Sequence, residues 1–228
     1  MTAAEPMSSE RLVTLPGHFH GFALMHIAMR RDAGRLAAVA RATHFARPDG
    51  IGAWWHALRG VIDWHHHSED EILWPELRRS VPSFAVAADA LDGDHARLDE
   101  AMDTIGAALA SGAAGAALVP AADAFTDILQ RHLATEEHIV FPAFTQLGEQ
   151  RYLALERRLL RTAPPRVLGH LQPWMFDGAD PGAAAHVAAS IPPPVRLLGR
   201  TVLRRRYERL LAPVVARTVP AQRPKEKR

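Results

Sequence analysis

One pattern constrains this chain more than any other. HHHSEDEILWP at residues 65–75 returns as HLATEEHIVFP at 132–142. Both copies fit H-x-x-x-E-[DE]-x-I-[LV]-[WF]-P, and they begin 67 residues apart. On a helix, four-residue spacing puts His and Glu on one face, their Cβ atoms about 5–6 Å apart. His65 thus shares a stripe with Ile62, Glu69 and Ile72, and His132 shares one with Leu129, Glu136, Ile139 and Ala143. Apolar neighbours mark these stripes as core-facing. A carboxylate buried without a partner costs several kcal/mol, and no Arg or Lys lies on either stripe near the pairs. A bound cation supplies the missing charge.

The surrounding sequence reads as helix throughout. Four helical segments are expected over residues 18–46, 51–79, 84–110 and 119–148, with RPDG at 47–50 closing the first and SGAAG the third. Pro75 should kink the second or sit in its last turns. The breaks are short, so neighbouring helices should run antiparallel, and no alternating strand signal occurs. The expected fold is all-α, an up-down-up-down four-helix bundle over 18–148.

The two remaining helices offer further ligands. His95, in GDHARLDEAM, lies one turn before Leu98 and Asp99; His26 falls in the stripe Phe22, His26, Met29, Ala33, with His20 as an alternative on the same helix. Four histidines and two glutamates can serve two ions about 3.5–4 Å apart, with the carboxylates bridging. Each ion is then short of six ligands and open to water, O2, peroxide or NO. Imidazole and carboxylate suit iron, and in part zinc, copper or manganese. Cysteine is absent, which excludes thiolate sites, disulfides and cysteine nucleophiles.

H-x-x-x-E, then His, then H-x-x-x-E over four helices resembles the hemerythrin-like (HHE cation-binding) family, across about residues 18–148. The resemblance implies a non-haem site of two iron ions, oxo- or hydroxo-bridged, in a bundle core. It assigns the metal ligands to His26, His65, Glu69, His95, His132 and Glu136. It implies a role in binding or turning over O2, peroxide or NO, with an oxidoreductase and a sensing or interaction module as the competing classes. Two positions differ from the invertebrate oxygen carriers of that family. Asp99 stands where they have a second histidine on the third helix, and Glu136 is four-spaced where they have a five-spaced aspartate.

Other titratable residues read more plainly. His66 and His67 lie about 100° and 200° around the helix from His65 and read as surface or outer residues. Asp70, Glu71 and Glu137 read as solvated acids or as acceptors that orient a ligating imidazole. His138 points away from His132. His44, His56, His170 and His186 have no periodic partner. Asp99 is a candidate for proton movement. Trp54, Trp55, Trp64 and Trp74 read as core, with a gas pocket as the alternative.

Residues 149–228 form an extension of opposite charge. Residues 1–150 hold 11 Arg/Lys against 20 Asp/Glu, and residues 151–228 hold 16 against 5. A helix is expected at 149–163, mixed structure at 166–191, a stiff break at Pro192-Pro193-Pro194, a basic amphipathic helix at 195–217, and a disordered tail. Leu197, Leu198, Val202, Leu203, Leu210 and Leu211 suit burial on the bundle, with the arginines meeting its acidic half. Peripheral membrane contact through 195–217 is the second reading, and nucleic-acid binding is not favoured. No apolar run of about 18 residues and no leader-like apolar region occurs, so a cytoplasmic protein is expected. The preponderance of Arg over Lys, 25 to 2, points to a GC-rich bacterial genome.

Overall fold

The computed structural model describes residues 7–42, 50–91, 93–111 and 114–218. Among these the protein is helical, with no strands. After short turns at Ser9–Leu12 and Gly17–Phe19, α1 runs His20–Arg41. The second helix, α2, comprises Ile51–Ser68, a π-helical turn at Glu69–Leu73, and Trp74–Ser80. Pro75 stands just beyond the wider turn. Proline has no N–H and its ring crowds the carbonyl four residues earlier; a π turn here is one way to absorb that defect. α3 spans Asp94–Ala110 and α4 spans Ala114–Leu147. The expected end of the first helix, RPDG up to Asp49, and His44 lie outside the described residues, as does the tail beyond 218.

The third segment is shorter than expected. Residues 82–90 form a separate short helix and a 3-10 turn, Pro82–Ala87 and Ala88–Ala90. Gly93, at φ 83°, then resets the chain into α3. That left-handed conformation suits glycine, so the helix cannot pass through it.

Two apolar layers sandwich one polar layer. The first holds Leu36, Trp54, Leu58, Met102, Phe125 and Leu129; the second holds Phe19, Phe22, Leu77, Phe84, Val140 and Phe144. Along α1 the chain passes from the second layer through His26 to the first, and along α2 from the first layer through His65 to the second. α3 and α4 repeat these two senses. Successive helices therefore cross the polar layer in opposite directions.

The extension closes the first layer. α5 (Glu149–Thr162), α6 (Pro165–Met175) and α7 (Pro181–Ser190) precede α8, which runs Pro193–Leu198, a π turn at Gly199–Leu203, and Arg204–Thr218. The stretch read as mixed is thus two helices. Val167, Leu171 and Trp174 of α6, with Tyr207, Leu211 and Val214 of α8, join the core of the bundle. Buried Asp32 on α1 accepts hydrogen bonds from Trp174 Nε1 at 2.9 Å, Arg31 Nε at 2.9 Å and Arg35 Nη1 at 2.8 Å. Asp177 accepts from the Tyr207 hydroxyl at 2.8 Å and pairs with Arg35 at 2.8 Å.

Two expectations about the extension need correcting. Of the six residues read as docking, Leu211 is buried and Leu203 and Leu210 are half-buried, whereas Leu197, Leu198 and Val202 are exposed. Ion pairs cross the seam in both senses: bundle arginines Arg31 and Arg35 reach Asp177 of the extension, and Arg151 of α5 reaches Glu76 of the bundle at 3.0 Å. Arg204 pairs instead with Glu208 on its own helix.

Candidate metal centre

The polar layer gathers all six residues singled out in the sequence and adds a seventh. Two groups of ligand atoms form, each within 4.8 Å: His26, His65, Glu69 and Glu136, and beside them His66, His95 and His132. The glutamates lie between the groups. Glu69 approaches His65 Nε2 at 3.1 Å with one oxygen and His95 Nε2 at 3.7 Å with the other. Glu136 likewise approaches His26 Nε2 at 3.7 Å and His132 Nε2 at 3.4 Å.

His66 was read as a surface or outer residue, and the structure overturns the surface half of that reading. It is 4 % exposed, and its ring stacks on His95. A helix in a bundle buries an arc of more than about 100°. Residues i and i+1 can therefore flank the midline of that arc, which places His65 in one group and His66 in the other. His67, one step further round, is exposed as expected. The sequence signal was the HH doublet opening the first copy of the motif.

Three outer carboxylates aim three imidazoles. Glu137 lies 3.0 Å from His26 Nδ1 and is held by Arg30 at 2.6 and 3.0 Å and by the Met7 backbone N–H at 2.9 Å. Asp70 lies 3.0 Å from His95 Nδ1, and Asp94 approaches His132 Nδ1 at 3.5 Å. An ionised carboxylate only accepts, so Nδ1 of His26 and of His95 carries the proton. Nε2 is then left as a lone pair directed inward. Of the acids read as solvated or orienting, Asp70 and Glu137 orient and Glu71 is exposed; Asp94 was not singled out. Asp99 is exposed, on the same side as Arg59 and Asp63. It does not join the centre. His20 approaches the Leu15 carbonyl instead.

The electrostatics are those of a site built for cations. Burial pushes the Glu69 carboxyl well above its ordinary range, and the adjoining Glu136 adds to this. Burial, reinforced by neighbouring histidines, pushes His65 and His66 well down. Burial would also raise Glu137, but His26 and Arg30 outweigh it and hold that carboxyl below its ordinary range. All four oxygens of Glu69 and Glu136 are buried without a well-angled hydrogen bond among the described residues. So are both ring nitrogens of His66, Nε2 of His95 and Nε2 of His132. Native interiors rarely leave so many polar atoms unsatisfied. The unsatisfied atoms are the nitrogen and oxygen donors that a pair of divalent ions would take, and the residues fit such ions.

Comparison with known proteins agrees with this geometry. Residues 19–144 match the hemerythrin HHE cation binding domain, a span that opens at Phe19 below the polar layer and closes at Phe144. The site and fold therefore define a helical, cation-binding protein, and the chain belongs to the hemerythrin HHE family. No curated protein and no solved structure shows a significant match. Among the described residues, no helix is long and apolar enough to cross a membrane.

Proposed function

We propose that this chain is a non-haem di-iron protein that binds or turns over a small ligand, O2, peroxide or NO. One observation carries the reading: each of two unsatisfied, buried glutamates stands between a histidine of one group and a histidine of the other. That is the arrangement two ions sharing two carboxylates require. His26 and His65 would hold one ion, and His66, His95 and His132 the other, with Glu69 and Glu136 common to both. Such ions supply redox and Lewis-acid chemistry at an exchangeable coordination position.

The chain's own groups set the conditions. Glu137, Asp70 and Asp94 fix the imidazole rings, Arg30 fixes Glu137, and the Phe22 ring covers His26 with centroids 4.4 Å apart. Apolar layers on both sides exclude bulk water. Among acids near the layer, Asp70 is half exposed in its side chain, and His95 beside it is the least buried imidazole of the seven ligands. We assign proton exchange with solvent to this pair in place of Asp99.

A second reading, ligand sensing without turnover, draws support from the Asp32–Trp174 hydrogen bond. Asp32 lies on α1 with His26, so a shift of α1 would reach the extension. Metal analysis of untagged protein, followed by peroxide, O2 and NO assays of the iron-loaded chain, tests both. Two iron per chain with steady turnover supports an enzyme. Two iron with a ligand-dependent change in Trp174 fluorescence and no turnover supports a sensor. Absence of bound metal at native helicity overturns the proposal.

A further inference from the structure

A cavity of about 380 Å3 lies between the bundle and the extension. Pockets that enclose small organic ligands span roughly 300–1,000 Å3. Its wall is almost wholly apolar, with Phe22, Trp64, Leu159, Leu171 and Met175 among the lining residues. It opens past Leu160, Leu168 and Val195, which line it and are 41 %, 45 % and 51 % exposed. The Phe22 ring separates it from the polar layer, since that ring also contacts His26 and His65 at 4.4 and 5.7 Å.

The polar residues of its lining are Tyr152 and Glu156, one turn apart on α5, Gln172 on α6, and Ser190, whose hydroxyl already donates to the Val187 carbonyl at 2.8 Å. Gln172 is 8 % exposed, and its Nε2 donates to the Arg196 carbonyl at 3.4 Å. Its Oε1 is buried with no partner. The chain makes room for this side chain, because any Cβ at Gly199 would overlap it. Burial raises the Tyr152 hydroxyl and pushes the Glu156 carboxyl up to about 7. Native interiors rarely leave a buried acceptor unpaired, and a donor brought in by a ligand would pair Gln172 Oε1.

We propose that this cavity binds an uncharged long-chain compound with a single hydroxyl head group, its tail on the apolar wall and its head among Tyr152, Glu156 and Gln172. A carboxylate head would face the Glu156 carboxyl and the lone pairs of Gln172 Oε1. A cationic head would have to leave water for one partly buried acid, which seldom compensates the desolvation. A hydroxyl matches without burying charge, since its O–H can donate to Gln172 Oε1 while its oxygen accepts from a neighbouring donor.

The test uses the full chain and displacement of the neutral dye Nile red by decan-1-ol, decanoate and decylammonium, with native mass spectrometry for stoichiometry. Decan-1-ol should displace the dye at one per chain, at least about tenfold more tightly than either charged probe. Met175→Trp should fill the cavity and weaken decan-1-ol by about tenfold or more while melting temperature and metal content hold. Should that variant fail to fold, Leu168→Glu at the exposed mouth serves the same end. Gln172→Leu should weaken decan-1-ol and leave decane unchanged. Equal binding of all three probes, tighter binding of a charged one, or wild-type affinity in the cavity variants would overturn the assignment. So would failure of decan-1-ol to bind. Ligation of metal is a separate readout, and probe binding should persist in His65→Ala.

Discussion

His66 stacks on His95 with ring centroids 4.1 Å apart and planes 12° apart. Burial, with the neighbouring histidines, depresses His66 and favours its neutral ring. A neutral ring keeps one N–H and leaves one nitrogen lone pair that can serve a cation. His66→Ala is expected to remove one of the two ions, as His95→Ala should, while His67→Ala retains both. Metal content by mass spectrometry, with circular dichroism as the fold control, decides this. Full metal retention in His66→Ala would return that ring to a packing role.

Glu69 should give opposite effects with and without metal. In the metal-free chain, burial and the facing Glu136 hold the Glu69 carboxyl above its ordinary range. A raised folded-state value makes this acid a contributor at low pH, and its contribution is lost as pH rises through that value. Glu69→Gln should therefore stabilise the metal-free protein at neutral pH, on the order of 1–3 kcal/mol. The same variant should lose most of the stabilisation that iron confers. Denaturant unfolding of both forms checks the pair, and a metal-free Glu69→Gln less stable than wild type would contradict it.

The outer carboxylates should tune affinity without defining the site. Glu137 orients His26 and is itself clamped by Arg30. Replacing such a group usually costs about 10–100-fold in metal affinity. Glu137→Gln should fall in that range, with Arg30→Gln following in the same direction because it frees Glu137. Competition with a chelator of known affinity measures both. Equal affinity in all three proteins would mean that packing alone positions the His26 ring.

The seam between bundle and extension should carry measurable stability. Trp174 is fully buried and donates to Asp32, whose carboxylate has no exposure. Trp174→Phe keeps most of the packing but removes a hydrogen bond to a charged acceptor, worth about 1.5–3 kcal/mol. Trp174→Ala adds a cavity and should cost about 3–5 kcal/mol. Guanidinium unfolding curves at constant slope would show both losses. A Trp174→Phe variant as stable as wild type would mean that Arg31 and Arg35 alone satisfy Asp32.

How much of this was legible in the sequence follows from what a helical repeat can carry. The stripe through His65 and Glu69, and its copy through His132 and Glu136, are local patterns at fixed spacing. His26 and His95 added one ligand per remaining helix. His66 was hidden because a stripe argument treats each neighbour as turned away, whereas a helix in a bundle buries an arc that takes in two adjacent residues. Asp94 was hidden because its partner, His132, is remote in sequence. The charge contrast suggested a contact between the halves, and Arg151 meets Glu76 in that sense. It could not show that Arg31 and Arg35, of the acidic part, reach an aspartate of the basic part. The break at Gly93 shortened a helix that composition alone would extend.

The last expectation concerns acid. His170, on α6, is buried 5.4 Å from Tyr207 and 6.1 Å from Trp174, ring to ring. Burial pushes it down to about 4, from an ordinary value of about 6.5. A depressed histidine binds its proton more readily in the unfolded chain. Its contribution is thus complete above about pH 6.5 and is lost as pH falls from there toward 4. The difference corresponds to an upper bound of about 3 kcal/mol at pH 4, reduced by whatever water reaches the ring. Acid should also release any metal held by the His/Glu layer, so the comparison belongs in metal-free protein. There, His170→Gln should flatten the fall in melting temperature between pH 6.5 and 4.5 relative to wild type, whatever it does at pH 7.5. Parallel curves for the two proteins would show that His170 gains its proton without opening the seam, and that the acid sensitivity resides in the histidines of the polar layer.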